Sequence, residues 1–418
     1  MPHDPARASA LALMTAVTEG NKMLSEIQPG ILARLSAPER ARAARLAADG
    51  LRWANRADRM LGPHLRMKPE DLVLNILRLG VTEICQHGSA PHGVVSDLVD
   101  LCKSGPSSGK AGLVNAILRK IAKSSPTWPD LPDPQLPKWL RKPLNKTYGK
   151  ATLAAIEAAH AAGAAIDVTP KSDPSAWAEK LGGSLLPTGS IRLPDAAQVT
   201  TLPGYDTGEW WVQDAAAALP AHILAVQQGE HVLDLCAAPG GKTMQFAATG
   251  ARVAALDISK SRMARVRENL ARTQLEAELV VADALTYDAG PFDAILLDAP
   301  CSATGTIHRH PDLPFAKADT DFAPLIELQR QMLARASQLL KSGGRLVYCT
   351  CSLLPEEGEE QAAWALEQDL GLSADMDALK IQGIDPAWAT ESGLRTRPDY
   401  WPELGGMDGF FVAAFRKG

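Results

Sequence analysis

The chain has 418 residues, 46% of them hydrophobic, enough for two or three domains with cores of their own. Its net charge is −5, no apolar stretch approaches the length of a membrane span, and the N-terminus lacks the layout of a secretory signal. Six cysteines without a C-x-x-C argue against a disulfide framework or a zinc site, and for a reducing, cytoplasmic setting.

The charge is unevenly placed. Residues 1–150 hold 22 Lys and Arg against 13 Asp and Glu, whereas 151–418 hold 21 against 35. A basic N-terminal part on an acidic body is the layout of a module that docks on a polyanion; an ordinary solvated basic segment is the alternative on charge alone.

Residues 5–27 place Ala10, Leu13, Met14 and Val17 at helical spacing. Ser36, followed three residues later by Glu39, opens a helix running to 61. Helical runs at 72–85, 93–102 and 110–122 complete an all-helical bundle over 1–125. Pro126, Pro129, Pro132, Pro134, Pro137 and Pro143 then rule out a continuous helix and predict a linker. That stretch also carries Trp128, Trp139, Lys138, Arg141 and Lys142. Its aromatics could stack on nucleic acid, or its tryptophans could pack on a neighbouring domain. An alanine-rich helix over 150–165 completes a linker-and-helix region at 126–165. Short strands near 166–168 and 190–193 suggest a small α+β subdomain over 166–212.

A helix at 213–226 opens the last domain, 213–418. Strands are predicted at 231–236, 252–257, 278–282, 293–298 and 345–349, with helices at 243–248, 260–273 and 326–340 and a final strand at 409–415. This alternation predicts an α/β fold with a doubly wound, Rossmann-like parallel sheet.

The first of these strands runs into Cys236-Ala237-Ala238-Pro239-Gly240-Gly241-Lys242-Thr243, a glycine turn whose helix N-terminus favours electron-rich groups. It is not a Walker A loop, because Cys236 stands where the first glycine is needed; G-x-G-x-x-G is absent too. Asp234, Asp257, Asp283 and Asp298 lie at four consecutive strand ends, Asp257 placed for ribose hydroxyls and Asp283 for an adenine edge. A site held by acids suits a cationic nucleoside, and S-adenosyl-L-methionine fits; a pyrophosphate would face carboxylates.

Two thiols, Cys301 and Cys351, follow strand ends at the same sheet edge. Carbon 5 of a pyrimidine takes a methyl group only after a thiolate adds to C6, and an acid must steady charge at N3. Cys351, Cys301 and Asp298 supply those groups. Cys85, Cys102, Cys236 and Cys349 read as small buried hydrophobes. His308 and His310 lack a third ligand at suitable spacing, so no metal site is expected and an RNA-facing or structural role is preferred.

Together these segments resemble the Sun-type RNA cytosine-5 methyltransferases over nearly the whole chain. Leu235 to Thr243, Leu297-Asp298-Ala299-Pro300-Cys301-Ser302-Ala303-Thr304-Gly305 with His310-Pro311-Asp312, and Tyr348-Cys349-Thr350-Cys351-Ser352 with Pro355-Glu356-Glu357 carry the resemblance. Trp211-Val212-Gln213-Asp214 and Gly406-Met407-Asp408-Gly409-Phe410-Phe411 match its flanking signatures. The resemblance implies Cys351 as nucleophile and Cys301 as the product-release residue. The helical region, through Pro91-His92-Gly93-Val94-Val95 and Gly112-Leu113-Val114-Asn115-Ala116-Ile117-Leu118-Arg119, resembles the NusB-like RNA-binding domain. That pairing implies 16S rRNA or a small-subunit precursor as partner, RNA contacts from 166–212, and no obligate protein partner. Two departures stand out: Gly358 replaces the usual Asn after Pro-Glu-Glu, and Ile166-Asp167-Val168 replaces a more basic strand. A non-catalytic RNA-binding assembly factor and a DNA cytosine-5 methyltransferase are the competing readings.

Overall fold

The computed structural model describes residues 4–194, 198–318 and 320–418. The chain divides into two compact units, one formed by Met1–Gly163 with Ile307–Thr320, the other by Ala164–Thr306 with Asp321–Gly418.

The first unit is helical: α1 (Pro5–Gly20), α2 (Leu24–Ile31), α3 (Ala37–Arg52), α4 (Ala54–Leu61), α5 (Asp71–Val81), α6 (Pro91–Ser104), α7 (Ala111–Ser124) and α8 (Lys138–Ala162). Asp4 caps α1 by accepting from the Ala6 amide at 3.0 Å, and Glu39 accepts from the Ser36 amide at 2.9 Å in the expected capping box. The single helix expected over 5–27 is broken, because Asn21 takes a left-handed φ of 50° and ends α1. Leu13, Met14, Leu46, Leu77, Val114 and Leu118 share one core.

The linker expected over the proline-rich stretch is corrected. The helix α8 begins inside the supposed linker, with Pro137 at its N-cap and Pro143 within it, and Gly149 (φ 79°) divides it into two segments. Five of the six prolines precede the helix, and burial of Leu140 and Leu144 holds the turns around the sixth. Trp128 is buried in the helical core, where its indole donates to Gln86 at 2.9 Å and the Arg56 guanidinium lies 5.1 Å from its ring. It has no open face for a base; packing is the reading that holds. The segment 307–320 closes this unit. His308 is buried and stacks on His160, with ring centroids 6.2 Å apart, while Asp312 accepts from the Leu24 amide at 2.7 Å. His308 is therefore structural, not RNA-facing; His310 is exposed.

The second unit opens with a small antiparallel sheet in the order β2-β3-β1-β4, built from β1 (Asp167–Pro170), β2 (Ser184–Leu185), β3 (Ile191–Arg192) and β4 (Trp210–Val212), with α9 (Pro174–Leu181) beside it. Asp167 is 1% exposed, pairs bidentately with Arg192 at 2.7 and 2.8 Å, and accepts from the first amide of α10 (Ala215–Leu224). The acid that departs from the family pattern is thus a structural tie.

The main sheet comprises β5 (His231–Leu235), β6 (Arg252–Asp257), β7 (Glu278–Val281), β8 (Phe292–Asp298), β9 (Leu340–Thr350), β10 (Leu372–Ala374), β11 (Leu394–Arg395) and β12 (Phe411–Lys417). Its order is β10-β12-β9-β8-β5-β6-β7, with β11 paired to β12. The five strands β5 to β9 are parallel, as the alternation predicts, with α11 (Gly241–Ala248) and α12 (Lys260–Thr273) between them. The sheet as a whole is mixed, because β12 enters antiparallel beside β9 and carries β10 and β11. The strand β9 also starts earlier than expected, since Ser342-Gly343-Gly344 interrupts its apolar pattern.

Candidate active site

The parallel strands end side by side, with Asp298 in register with Cys349 and Leu235 in register with both Leu256 and Leu297. Everything past those ends faces one edge, the usual ligand edge of an open α/β sheet.

The turn after β5 is tight. Cys236 has φ 64° and Gly240 φ 102°; a Cβ on Gly240 would meet Val266 of α12 at 3.1 Å. The helix α11 starts at Gly241, so its first amides face the edge. Beneath the turn Asp234 is 1% exposed. Thr243 donates to its Oδ2 at 2.5 Å, while Oδ1 has no hydrogen-bond partner. Burial pushes this carboxyl up to about 7. Asp257 is also buried; its Oδ1 accepts from Ser259 at 2.9 Å and its Oδ2 lies 3.4 Å from the Arg262 guanidinium. Asp283, past the edge strand β7, is exposed and accepts only locally, from the Leu285 amide among the contacts at its carboxylate. Cys236 is half-buried, and burial pushes its thiol well up. An orphaned buried carboxylate oxygen, acids at adjacent strand ends and a helix N-terminus together fit a ligand with cationic and polar groups, as S-adenosylmethionine has.

Lys242 leads from that turn to the thiols. Its ammonium lies 2.8 Å from Asp298 and 5.4 Å from the Phe410 ring centre. Burial opposes its charge, but Asp298, Cys349 and Asp234 together hold the ammonium above its ordinary value. The other oxygen of Asp298 is 3.4 Å from the sulfur of Cys349, whose buried thiol is held well above its usual range.

Cys301 Sγ and Cys351 Sγ are 3.5 Å apart. The hydrogen bond to Cys351, then burial, pushes the Cys301 thiol well up, so Cys301 keeps its proton. Backbone bonds stitch the two segments together: Ala299 N to Cys349 O at 3.0 Å and Gly305 N to Cys351 O at 2.9 Å. Gly409 N adds a bond to Gly305 O at 2.8 Å, and a Cβ on Gly305 would lie 1.9 Å from the Gly409 carbonyl. The flanking signatures also meet, with Asp214 capping α10 and accepting from the Asp408 amide at 3.1 Å.

The residues expected on the edge thus form two groups. Lys242, Asp298, Cys301 and Cys351 cluster around β8 and β9; Ala237, Ala238, Pro239, Gly240 and Gly241 form the turn above Asp234 and beside Asp257. Asp283 stands apart, past the end of the edge strand β7. Glu357 and Arg395 escaped sequence reasoning. Glu357 is fully buried and bonded to the Cys301 loop, and Arg395 donates to the Ser352 carbonyl while pairing with Glu359. Arg395 also accounts for Gly358: a Cβ there would meet its guanidinium at 2.5 Å and Phe411 at 2.8 Å. Glu357 lay within a quoted motif, but only its contacts separate it from Glu356.

The fold and this edge define an S-adenosylmethionine-dependent α/β methyltransferase with an appended helical domain. Residues 221–416 match the family described as 16S rRNA methyltransferase RsmB/F, and residues 4–123 match the NusB family. The chain is 35% identical to Ribosomal RNA small subunit methyltransferase B of Sodalis glossinidius, covering 99% of this chain and 98% of that one. It is 32% identical to the protein of the same name from Pseudomonas putida, covering 98% of each. Among solved structures, a methyltransferase homologue from Pyrococcus horikoshii is 27% identical over 66% of this chain and 94% of its own, with a TM-score of 0.55. The protein PH0851 shares the fold across 100% of this chain and 99% of its own, at 22% identity and a TM-score of 0.76. The chain belongs to the 16S rRNA methyltransferase RsmB/F family, and the resemblance drawn from its motifs holds over the full length.

Proposed function

We propose that this enzyme methylates carbon 5 of a cytosine in 16S rRNA through a covalent bond between Cys351 and C6. The observation that carries the reading is the pair of thiols 3.5 Å apart beside an Asp298 held by Lys242. Bound S-adenosylmethionine supplies the methyl group; Asp234, Asp257, Asp283 and the turn from Cys236 to Lys242 are the residues that would hold it. Cys351 adds as thiolate to C6 while N3 takes up a proton from solvent and donates it as a hydrogen bond to the Asp298 carboxylate; electron density moves onto C5, and N3 gives that proton back to solvent when the adduct collapses. Once C5 carries the methyl group, its proton departs to water, the C5–C6 double bond re-forms and the C6–Sγ electron pair returns to Cys351. Cys301 keeps its proton and donates it as a hydrogen bond to that sulfur, which lowers the cost of the leaving thiolate. The target base must leave its stack, since C6 is attacked from the ring face. The names of the full-length relatives support small-subunit rRNA as substrate, and the basic excess of residues 1–150 supports docking on it through the helical domain, with 166–212 adding contacts.

The test incubates the Cys301→Ala variant with unmethylated 16S rRNA and methyl-labelled S-adenosylmethionine, then runs a denaturing gel. A slow labelled protein–RNA band that disappears when Cys351 is also replaced is expected. Methylation without any such band would overturn the assignment, and loss of attack with Cys301→Ala but not Cys351→Ala would exchange the two roles.

A further inference from the structure

Cys301 and Cys351 sit on separate loops, so something must fix their 3.5 Å spacing. Each is bracketed on both sides, and both brackets lead to one residue, Glu357, through its carboxylate on the Cys301 side and its backbone carbonyl on the Cys351 side. On the Cys301 side, the Ser302 amide and hydroxyl donate to the Glu357 carboxylate at 2.8 and 2.5 Å. Gln329 donates to the same carboxylate at 3.1 Å and to the Pro300 carbonyl at 2.9 Å. On the Cys351 side, Thr350 donates to the Glu357 carbonyl at 2.9 Å, and the Ser352 hydroxyl is 3.0 Å from that of Ser302. Tyr348, two residues further back on β9, also donates to the Glu357 carbonyl, at 2.8 Å.

Glu357 is 0% exposed. A carboxylate so placed is costly to bury, and it is tolerated here because three donors converge on it. An apolar residue would fill the space without that cost but would take the acceptor from the Ser302 amide and one acceptor each from the Ser302 hydroxyl and Gln329.

We infer that Glu357 is a positioning residue for product release, holding the Cys301 loop against the end of β9 so that the Cys301 thiol stays in contact with Cys351. The inference rests on the roles proposed above for the two cysteines. Glu357 does not touch the substrate; it acts through Ser302 and Gln329. Its replacement disturbs release more than attack, because Cys351 directly follows the last residue of β9, whereas Cys301 lies further from the end of β8 at Asp298 and on the loop that the Glu357 carboxylate holds.

The experiment compares wild type, Glu357→Gln, Ser302→Ala and Cys301→Ala, as full chains with 16S rRNA and labelled S-adenosylmethionine. It measures the rate of labelled adduct formation in a single turnover and the rate of its decay. Glu357→Gln keeps the volume but turns an acceptor into a donor; Ser302→Ala removes the hydroxyl's contacts with Glu357, Ser352 and Thr304, keeps the amide bond to Glu357, and tests the same bracket should the first variant fold poorly. Adduct formation within about threefold of wild type and decay slowed at least tenfold are expected for Glu357→Gln, with a smaller slowing for Ser302→Ala. If formation and decay fall by the same factor, Glu357 is merely structural and the inference fails. If Cys301→Ala accumulates adduct while both other variants release it at the wild-type rate, the inference alone fails. If Cys301→Ala does not accumulate adduct, the underlying assignment falls and takes the inference with it.

Discussion

Asp234 illustrates how a single residue reports the state of the site. Its carboxyl is raised by burial to about 7, against about 4 for an unfolded chain. Between those values the folded protein binds a proton that the unfolded one has lost. Stability is therefore greatest below pH 4 with respect to this group and falls as pH rises toward 7, by at most about 4 kcal/mol. Asp234→Asn removes the titration while leaving an acceptor for Thr243. The difference in unfolding free energy between variant and wild type, measured by urea denaturation without cofactor, should rise in favour of the variant from pH 5 to pH 8. A difference independent of pH would show that Asp234 is not the titrating group.

At the scale of elements, the Asp167–Arg192 pair joins β1 to β3 and reaches the first turn of α10. Removing one partner strands a buried charge. Arg192→Met is expected to lower the stability of the second unit by about 3–5 kcal/mol, and replacing both residues with apolar ones to restore much of it. Denaturation of both variants, followed by tryptophan fluorescence, checks this; equal losses in the two would remove the pair from the account. The same scale shows what a sequence reader can and cannot see. The helix at 260–273 and the strand at 252–257 were legible to the residue, because apolar periodicity and length leave one solution for each. The acids and thiols at the ends of β8 and β9 were legible because strand ends mark the ligand edge. Partner choice was not: nothing in the residues of β12 states which side of β9 it joins or in which direction. Proline density misled because it counts residues without saying which of them precede the helix. Glu357 was hidden because its importance lies in three donors distant in sequence, and Trp128 because a tryptophan in a basic linker has the same sequence signature whether it packs inward or outward.

For the whole molecule the separation of charge matters most. Lys120 and Lys123, exposed toward the C-terminal end of α7, place positive charge on the helical unit. Replacing Lys120 and Lys123 with Gln should weaken binding to 16S rRNA and reduce the slope of log affinity against log salt by roughly 1.5–2, if both contact phosphates. Filter binding at several salt concentrations measures it, and an unchanged slope would move the contact surface elsewhere. No helix among the described residues is long and apolar enough to cross a membrane.

The helical unit is also discontinuous, since Ile307–Thr320 belongs to it although β5 to β8 come earlier in the chain. During synthesis, residue 163 emerges while Asp312, the acceptor for Leu24, and His308, the stacking partner of His160, have yet to be translated. At bacterial-like rates the remaining 144 residues to position 307 take roughly 7 to 30 s. For that interval the nascent N-terminal bundle exists without its last piece, and it matures only after four strands of the parallel sheet have left the ribosome.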